Sequence, residues 1–264
     1  MGGGILESPT QTLRLILPRQ YPGFTSPAIL LSHSSYPHYP PSGIMFRPLS
    51  SLNSTVTLAN LSNLELVNIR HPTSLLLDLH APALQTLVIR NSRMDMGAFL
   101  SQWSHADFLP SNLRSLEFTE CFSETHMPYL IRWLARLPSL LRLVLTHKDD
   151  IGDPNPLTSS VETDIFKALS SPDGAGSVVG GWLCPSLVHL CVDTNLRVVD
   201  IIPIARARGG AAARSSGLPS RLRLMQATLC SSGTEDEIAE FRSFFAEDSD
   251  AICLCLACGF NFSI

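Results

Sequence analysis

Seven cysteines, eight histidines and 23 acidic residues in 264 positions supply many groups capable of chemistry, so spacing decides whether any of them form a site. Cys253, Cys255 and Cys258 make C-x-C-x-x-C, and His189 and Cys191 stand two apart. Thiolate and imidazole bind zinc, but a structural zinc site takes paired motifs at fixed spacing. Here the one cluster lies in the apolar run AICLCLACGFNFSI, where free cysteine packs as a small hydrophobe. Buried cysteines without a metal are therefore expected. A serine nucleophile lacks its anchor, because no G-x-S-x-G elbow occurs. His80 follows Asp78 along a strand-like stretch, with no nucleophile implied. The stretch DGAGSVVGG places Gly174, Gly176 and Gly180 one residue out of the dinucleotide fingerprint. It follows Ser-Ser-Pro rather than a strand, and no Lys-Ser/Thr follows it, so it reads as an insertion. Arg206, Arg208, Arg214, Arg221 and Arg223 form a basic cluster able to meet phosphates. No aromatic residues interleave for base stacking, and the acidic run Glu235, Asp236, Glu237 and Glu240 offsets the charge. Asp149/Asp150 and Asp248/Asp250 sit in polar turns and read as solvated. Neither a cofactor nor a nucleic acid is expected.

The elements that would position these residues announce themselves through leucine. Apolar residues make up 45% of the chain and charged residues 16%, which suits a folded core rather than a disordered tail. Five segments share the pattern apolar-x-x-apolar-x-apolar: Leu64/Val67/Ile69, Leu84/Leu87/Ile89, Leu113/Leu116/Phe118, Leu140/Leu143/Leu145 and Leu187/Leu190/Val192. Leu222/Met225/Ala227 is a weaker copy, and Thr12/Leu15/Leu17 weaker still. Successive starts from Leu64 to Leu222 lie 20, 29, 27, 47 and 35 residues apart, so the last two intervals need insertions. A proline precedes most copies (Pro9, Pro82, Pro110, Pro138, Pro185, Pro219), ending the previous helix and starting an extended segment. The ninth position of a leucine-rich repeat is usually Asn or Cys, and Cys121, Asn195 and Cys230 occupy it here, whereas Ser92 and Lys148 do not. The last two apolar residues of each copy are two apart and share one side of a short strand. One copy cannot bury that side alone, so stacked neighbours are required.

Return segments with helical spacing lie between the strands. Asp95 could cap a helix through Trp103, and Thr125 one carrying Leu130, Leu134 and Leu137. Ser159/Glu162 and Thr234/Glu237 have capping-box spacing, the first ahead of Ile165, Phe166 and Leu169, the second ahead of Ile238, Phe241, Phe244 and Phe245. The expected fold is α/β: an irregular leucine-rich-repeat solenoid, parallel strands on its inner face and helices on its outer face. Residues 1–50 form a Pro/Ser-rich irregular segment with one degenerate copy, and short strands are expected at 28–32 and 55–58. Residues 51–264 form the repeat domain, with insertions near 148–181 and 205–217. The stretch ARARGGAAARSSG within the latter reads as a small-residue linker or frayed helix. The N-terminus lacks a basic region and an apolar run of signal-peptide type, and no 18-residue apolar run offers a membrane span. An intracellular, reduced, membrane-free setting is expected, cytoplasmic or nuclear.

The segments LDLHAPALQTLVI, GAFLSQW, LPSNLRSLEFTEC, LIRWLARLPSLLRLVL, LCPSLVHLCV and LPSRLRLMQATLC, in this order, resemble the irregular leucine-rich region of fungal F-box proteins across roughly residues 60–250. In that family an F-box docks the SCF ubiquitin ligase and the repeats bind the protein to be degraded. Residues 1–50 contain no Leu-Pro-x-Glu opening followed by amphipathic helices. The resemblance therefore implies the substrate-receptor half, with a ligase adaptor as partner only if an F-box lies outside this chain. It implies a non-enzymatic module whose concave strand face binds a protein partner. The outward positions expected to form that face are Asn68, Arg70 and His71 on the first copy, then Val88, Arg90 and Asn91. Glu117, Thr119 and Glu120 follow, then Val144, Thr146 and His147, then Cys191, Asp193 and Thr194, and lastly Gln226 and Thr228. Two alternatives stay open: an F-box-less repeat protein with a structural role or no specific partner, and a hydrolase-type enzyme.

Overall fold

A computed structural model describes residues 11–16, 29–32, 56–69, 76, 79–91, 112–121, 127–146, 162–172, 181–196, 198–209, 219–229, 234–244, 252–256 and 261–263. The strands are β1 (Gln11–Ile16), β2 (Ile29–Ser32), β3 (Val56–Thr57), β4 (Leu61–Val67), β5 (Leu79–His80), β6 (Thr86–Arg90), β7 (Ser115–Thr119), β8 (Arg142–Thr146), β9 (His189–Leu196), β10 (Leu224–Leu229), β11 (Ile252–Leu256) and β12 (Asn261–Ser263). The helices are α1 (Met127–Leu134), α2 (Glu162–Ser170), α3 (Val198–Arg208) and α4 (Glu235–Ser243). Ten strands form one sheet in the order β12-β11-β10-β9-β8-β7-β6-β4-β1-β2. Every pairing from β11 to β1 is parallel, and β12 and β2 close the two edges antiparallel. β3 and β5 pair in parallel apart from it. The chain is thus α/β with a mostly parallel sheet. No helix among the described residues is long and apolar enough to cross a membrane.

Register explains why leucine recurs. Leu13, Leu64, Leu87, Leu116, Leu143, Leu190 and Met225 fall on one line across the strands. Leu15, Leu66, Ile89, Phe118, Leu145 and Val192 fall on a second, and all thirteen of these side chains are buried. A third buried line precedes the strands: Leu61, Leu84, Leu113, Leu140, Leu187 and Leu222. This corrects two expected copies. The first is Leu61/Leu64/Leu66, not Leu64/Val67/Ile69, and Val67 lies half-buried on the other face. In the N-terminal one Leu13 and Leu15 stand in the core lines, Leu15 in the second line rather than the first, and Leu17 lies outside the described residues. Both segments hold apolar residues at several phases (Leu61, Leu64, Leu66, Val67, Ile69), so the string alone admits two frames. Only pairing with β6 selects one, since a slipped strand would expose its core residues.

The same turn hydrogen bond returns at four copies. Leu61, Leu84, Leu140 and Leu187 donate their N–H to the carbonyls of Leu58, Ala81, Leu137 and Cys184, three residues back, at 3.0–3.2 Å. Pro82, Pro138 and Pro185 stand second in those four-residue turns, where a ring-fixed φ near −65° belongs. Proline here therefore builds the turn into the strand as well as ending what precedes it. Past the turn, the carbonyls of Gln85, Arg114, Leu141 and Val188 each accept two consecutive N–H groups of the next copy. Cys121, at the ninth position, is buried with Sγ 2.8 Å from the Thr119 carbonyl and 3.1 Å from that of Ile89.

The helices cover the core side of the sheet. Leu130, Trp133 and Leu134 of α1, Ile165, Phe166 and Leu169 of α2, Ile201 and Ile204 of α3, and Phe241 of α4 join the same apolar cluster as the strand leucines. Phe118 meets Trp133 at 5.8 Å between ring centroids, in a tilted arrangement. The capping box at α4 forms as its spacing predicts: Thr234 N–H donates to Glu237 Oε2 at 2.8 Å, and Glu237 N–H to Thr234 Oγ1 at 3.2 Å. The caps expected at Thr125 and Ser159, and the helix expected from Asp95 to Trp103, lie outside the described residues.

Of the two readings of residues 205–217, linker or frayed helix, the helical one describes residues 205–208, which are the last turn of α3. Pro203 sits inside that helix, where proline costs about 3 kcal/mol in an ordinary interior. Burial of Val198, Ile201, Ile202, Ile204 and Ala205 offsets this, since each large aliphatic contributes roughly 1.5–3 kcal/mol. Gly209 follows, and a side chain there would meet the Ala205 carbonyl at 2.5 Å and the Phe244 carbonyl at 3.0 Å. Glycine is needed for that close approach of α3 to the end of α4.

Candidate functional site

The face of the sheet away from the core is built by the alternate residues of each strand. Its first line runs Thr12, Asn63, Thr86, Ser115, Arg142, His189, Leu224. Its middle line runs Arg14, Glu65, Val88, Glu117, Val144, Cys191, Gln226. The third carries Val67, Arg90, Thr119, Thr146, Asp193 and Thr228. Most of these side chains with described surroundings are half-buried, because strands about 4.8 Å apart shield one another.

Five charged residues on this face form a continuous ladder over β1, β4, β6, β7 and β8. Arg14 Nε lies 2.7 Å from Glu65 Oε2. Arg90 bridges both acids, with Nη1 3.5 Å from Glu65 Oε1 and Nη2 2.6 Å from Glu117 Oε1. Arg90 Nε also donates to Glu117 Oε1 at 2.8 Å. Arg142 Nη1 reaches Glu117 Oε2 at 3.3 Å and Ser115 Oγ at 3.4 Å. The arrangement is layered as well as alternating. The Glu117 and Glu65 side chains are 11% and 21% exposed, whereas those of Arg90, Arg142 and Arg14 are 41%, 43% and 49% exposed. Carboxylates lie beneath and guanidiniums above.

Among the expected partner-binding residues, Arg90, Glu117 and Thr119 occupy this face, Gln226 is exposed on it, and Asp193 is aligned with it by register. Glu117 is 8% exposed, so it supports the surface rather than presenting itself. Asn68, Asn91 and Glu120 are corrections. Each stands just past its strand with a left-handed φ (58°, 50° and 54°) and is half-buried. Each donates its N–H to the next strand, to the carbonyls of Arg90, Thr119 and Thr146, all at 2.9 Å. They are turn residues that end strands, and Asn tolerates that conformation best. Arg70, His71 and His147 lie outside the described residues. Sequence reasoning missed Arg14, Glu65 and Arg142. Arg14 and Glu65 were hidden because the first copies were framed late, and Arg142 because it stands before the two core leucines of its copy.

The remaining candidates disperse. Arg208 is fully buried, Arg206 pairs with Glu240 at 2.6 Å and lies over the Phe244 ring, and Arg214 is outside the described residues, so the basic cluster forms no single patch. Cys253 and Cys255 align in β11 with Gln226 and Thr228, in line with the outward positions rather than with the core lines. Cys258 lies outside the described residues, as does the Gly174–Gly180 segment. Among the described residues no group of three or more His, Cys, Asp or Glu is placed to hold a metal ion. Comparison with protein-family models, with curated proteins and with solved structures finds no match.

Proposed function

We propose that the chain is an irregular leucine-rich-repeat solenoid that binds another protein through the outward strand face. The carrying observation is the recurrence of one unit at the level of single hydrogen bonds. A turn leads into a buried leucine, a short parallel strand follows, and a left-handed residue ends it at Asn68, Asn91 and Glu120. All described helices bury residues on the opposite side, which leaves a broad polar face for a partner. By the resemblance to fungal F-box proteins, the partner is a protein marked for degradation and the setting intracellular. A ligase adaptor would bind through an F-box outside this chain.

Thr119 and Gln226 test this reading, because both occupy the face and neither belongs to the ladder. Affinity capture from the native cell with Thr119→Glu/Gln226→Glu should lose the partner that the unaltered chain recovers, with circular dichroism unchanged. Capture that survives both changes, or an unaltered chain that recovers no reproducible partner, would leave the purely structural alternative.

A further inference from the structure

The charged ladder specifies what kind of protein segment the face would take, an inference that rests on the strand-face reading above. We propose that it docks an extended acidic peptide, running across the strands from β1 to β8, with carboxylates set over Arg14 and Arg142. Three observations carry this. First, the arginines stand above the acids: their side chains are 41–49% exposed, those of the two glutamates 11–21%. An approaching segment meets guanidinium groups, although the ladder as a whole carries three positive and two negative charges. Second, the end arginines spend little of their donor fork on their own acids. Arg14 meets Glu65 through Nε, and Arg142 meets Glu117 and Ser115 through Nη1. A guanidinium has five N–H donors and suits bidentate pairing with a second carboxylate. Third, the spacing is that of a peptide. The path β1-β4-β6-β7-β8 has four inter-strand steps of about 4.8 Å, roughly 19 Å in all. An extended chain at about 3.3 Å per residue covers it with about six residues.

A nucleic acid is disfavoured by the same face. No Phe, Tyr or Trp stands on the three outward lines from β4 to β10 for a base to stack on, and His189 is the one imidazole there.

The experiment is fluorescence anisotropy of a labelled octaglutamate peptide with the full chain at low ionic strength. Octaglutamate should bind and octalysine should not. Arg14→Gln/Arg142→Gln should weaken octaglutamate by about tenfold, with circular dichroism and thermal midpoint nearly unchanged. Arg14→Lys/Arg142→Lys should recover only part of the affinity lost in the glutamine variant, because the positive charge remains but the bidentate fork is gone. Absence of octaglutamate binding, or equal binding to the glutamine variant, overturns the proposal. So does single-stranded DNA that displaces octaglutamate at lower concentration than unlabelled octaglutamate does. The outcomes separate the two readings. Partner capture that is lost with Thr119→Glu/Gln226→Glu, beside failed octaglutamate binding, rejects the acidic class and keeps the strand face; capture indifferent to the face variants rejects the face itself.

Discussion

Arginine occupies two opposite settings in this molecule. On the strand face, Arg14, Arg90 and Arg142 are half-exposed and paired with two carboxylates. Behind the sheet, Arg208 is wholly buried and donates to three backbone carbonyls. Its Nε donates to Leu169 at 2.8 Å, Nη1 to Cys184 at 3.1 Å and Nη2 to Leu183. Leu169 lies at the C-terminal end of α2, where unsatisfied carbonyls concentrate partial negative charge. The Trp182 ring lies 5.9 Å from the guanidinium carbon. Burial draws the guanidinium down to about 10, partly countered by the Cys184 thiol, so it remains a cation at neutral pH. The difference teaches that a buried cation needs oriented dipoles rather than a carboxylate, and that removing it strands those dipoles. The exposed ladder can rearrange into water at little cost.

Arg208→Met should break the comparison hardest. Its loss leaves the carbonyls of Leu169, Leu183 and Cys184 without this partner in a dry interior, at a cost of roughly 3–5 kcal/mol in urea unfolding, insensitive to salt. A cost below about 1 kcal/mol would mean the node is dispensable. Gly209→Ala, one residue on, should cost about 1–3 kcal/mol, because its methyl meets two carbonyls and α3 or α4 must shift. Glu117→Gln tests the ladder. It should cost about 1 kcal/mol at low salt and less in concentrated salt, because half-exposed pairs are screened. A salt-independent penalty would put the ladder in the same class as Arg208. Arg206→Gln, which removes an exposed pair with Glu240, should change stability by less than about 0.5 kcal/mol.

Cys184 sharpens the buried side of the comparison. Burial pushes its thiol from 9.0 up to about 12, with the charge of Arg208 pulling weakly the other way. The folded protein then holds this proton while an unfolded chain releases it. The stabilisation is complete below about 9 and is lost as pH climbs toward 12. Arg208, drawn down by burial to about 10, works in the opposite sense at the alkaline end. The cysteine effect is therefore read as the difference between the unaltered chain and Cys184→Ala, which should shrink from pH 9 upward. Native protein should also resist thiol reagents at Cys184 until it is unfolded.

Much of the strand architecture was legible because leucine at fixed intervals has one cheap explanation. Leu84/Leu87/Ile89 and Leu113/Leu116/Phe118 each hold the expected frame, and the prolines before Leu84, Leu140 and Leu187 mark real turns. The α4 cap was legible too, since Thr234 and Glu237 need only each other. The face was less so. Asn68, Asn91 and Glu120 look like strand residues in the string, yet their left-handed backbone follows from a bond to the neighbouring copy. α3 was hidden because Pro203 and the small residues after it argue against a helix, and only burial outweighs them.

The sequence by itself determined which residues must leave water and roughly where strands begin, because hydrophobic period and turn chemistry are local. Tertiary structure decided the frame of the first copies, the joining of Arg14, Glu65, Arg90, Glu117 and Arg142 into one ladder, and the burial of Arg208. Each of these depends on partners 23 or more residues away in the chain: 23 for Leu64 against Leu87, 24 for Arg208 to Cys184 and 25 for Glu65 to Arg90. Charge has no periodic signature of its own. Its energy is set by the dielectric and the dipoles that packing brings to it.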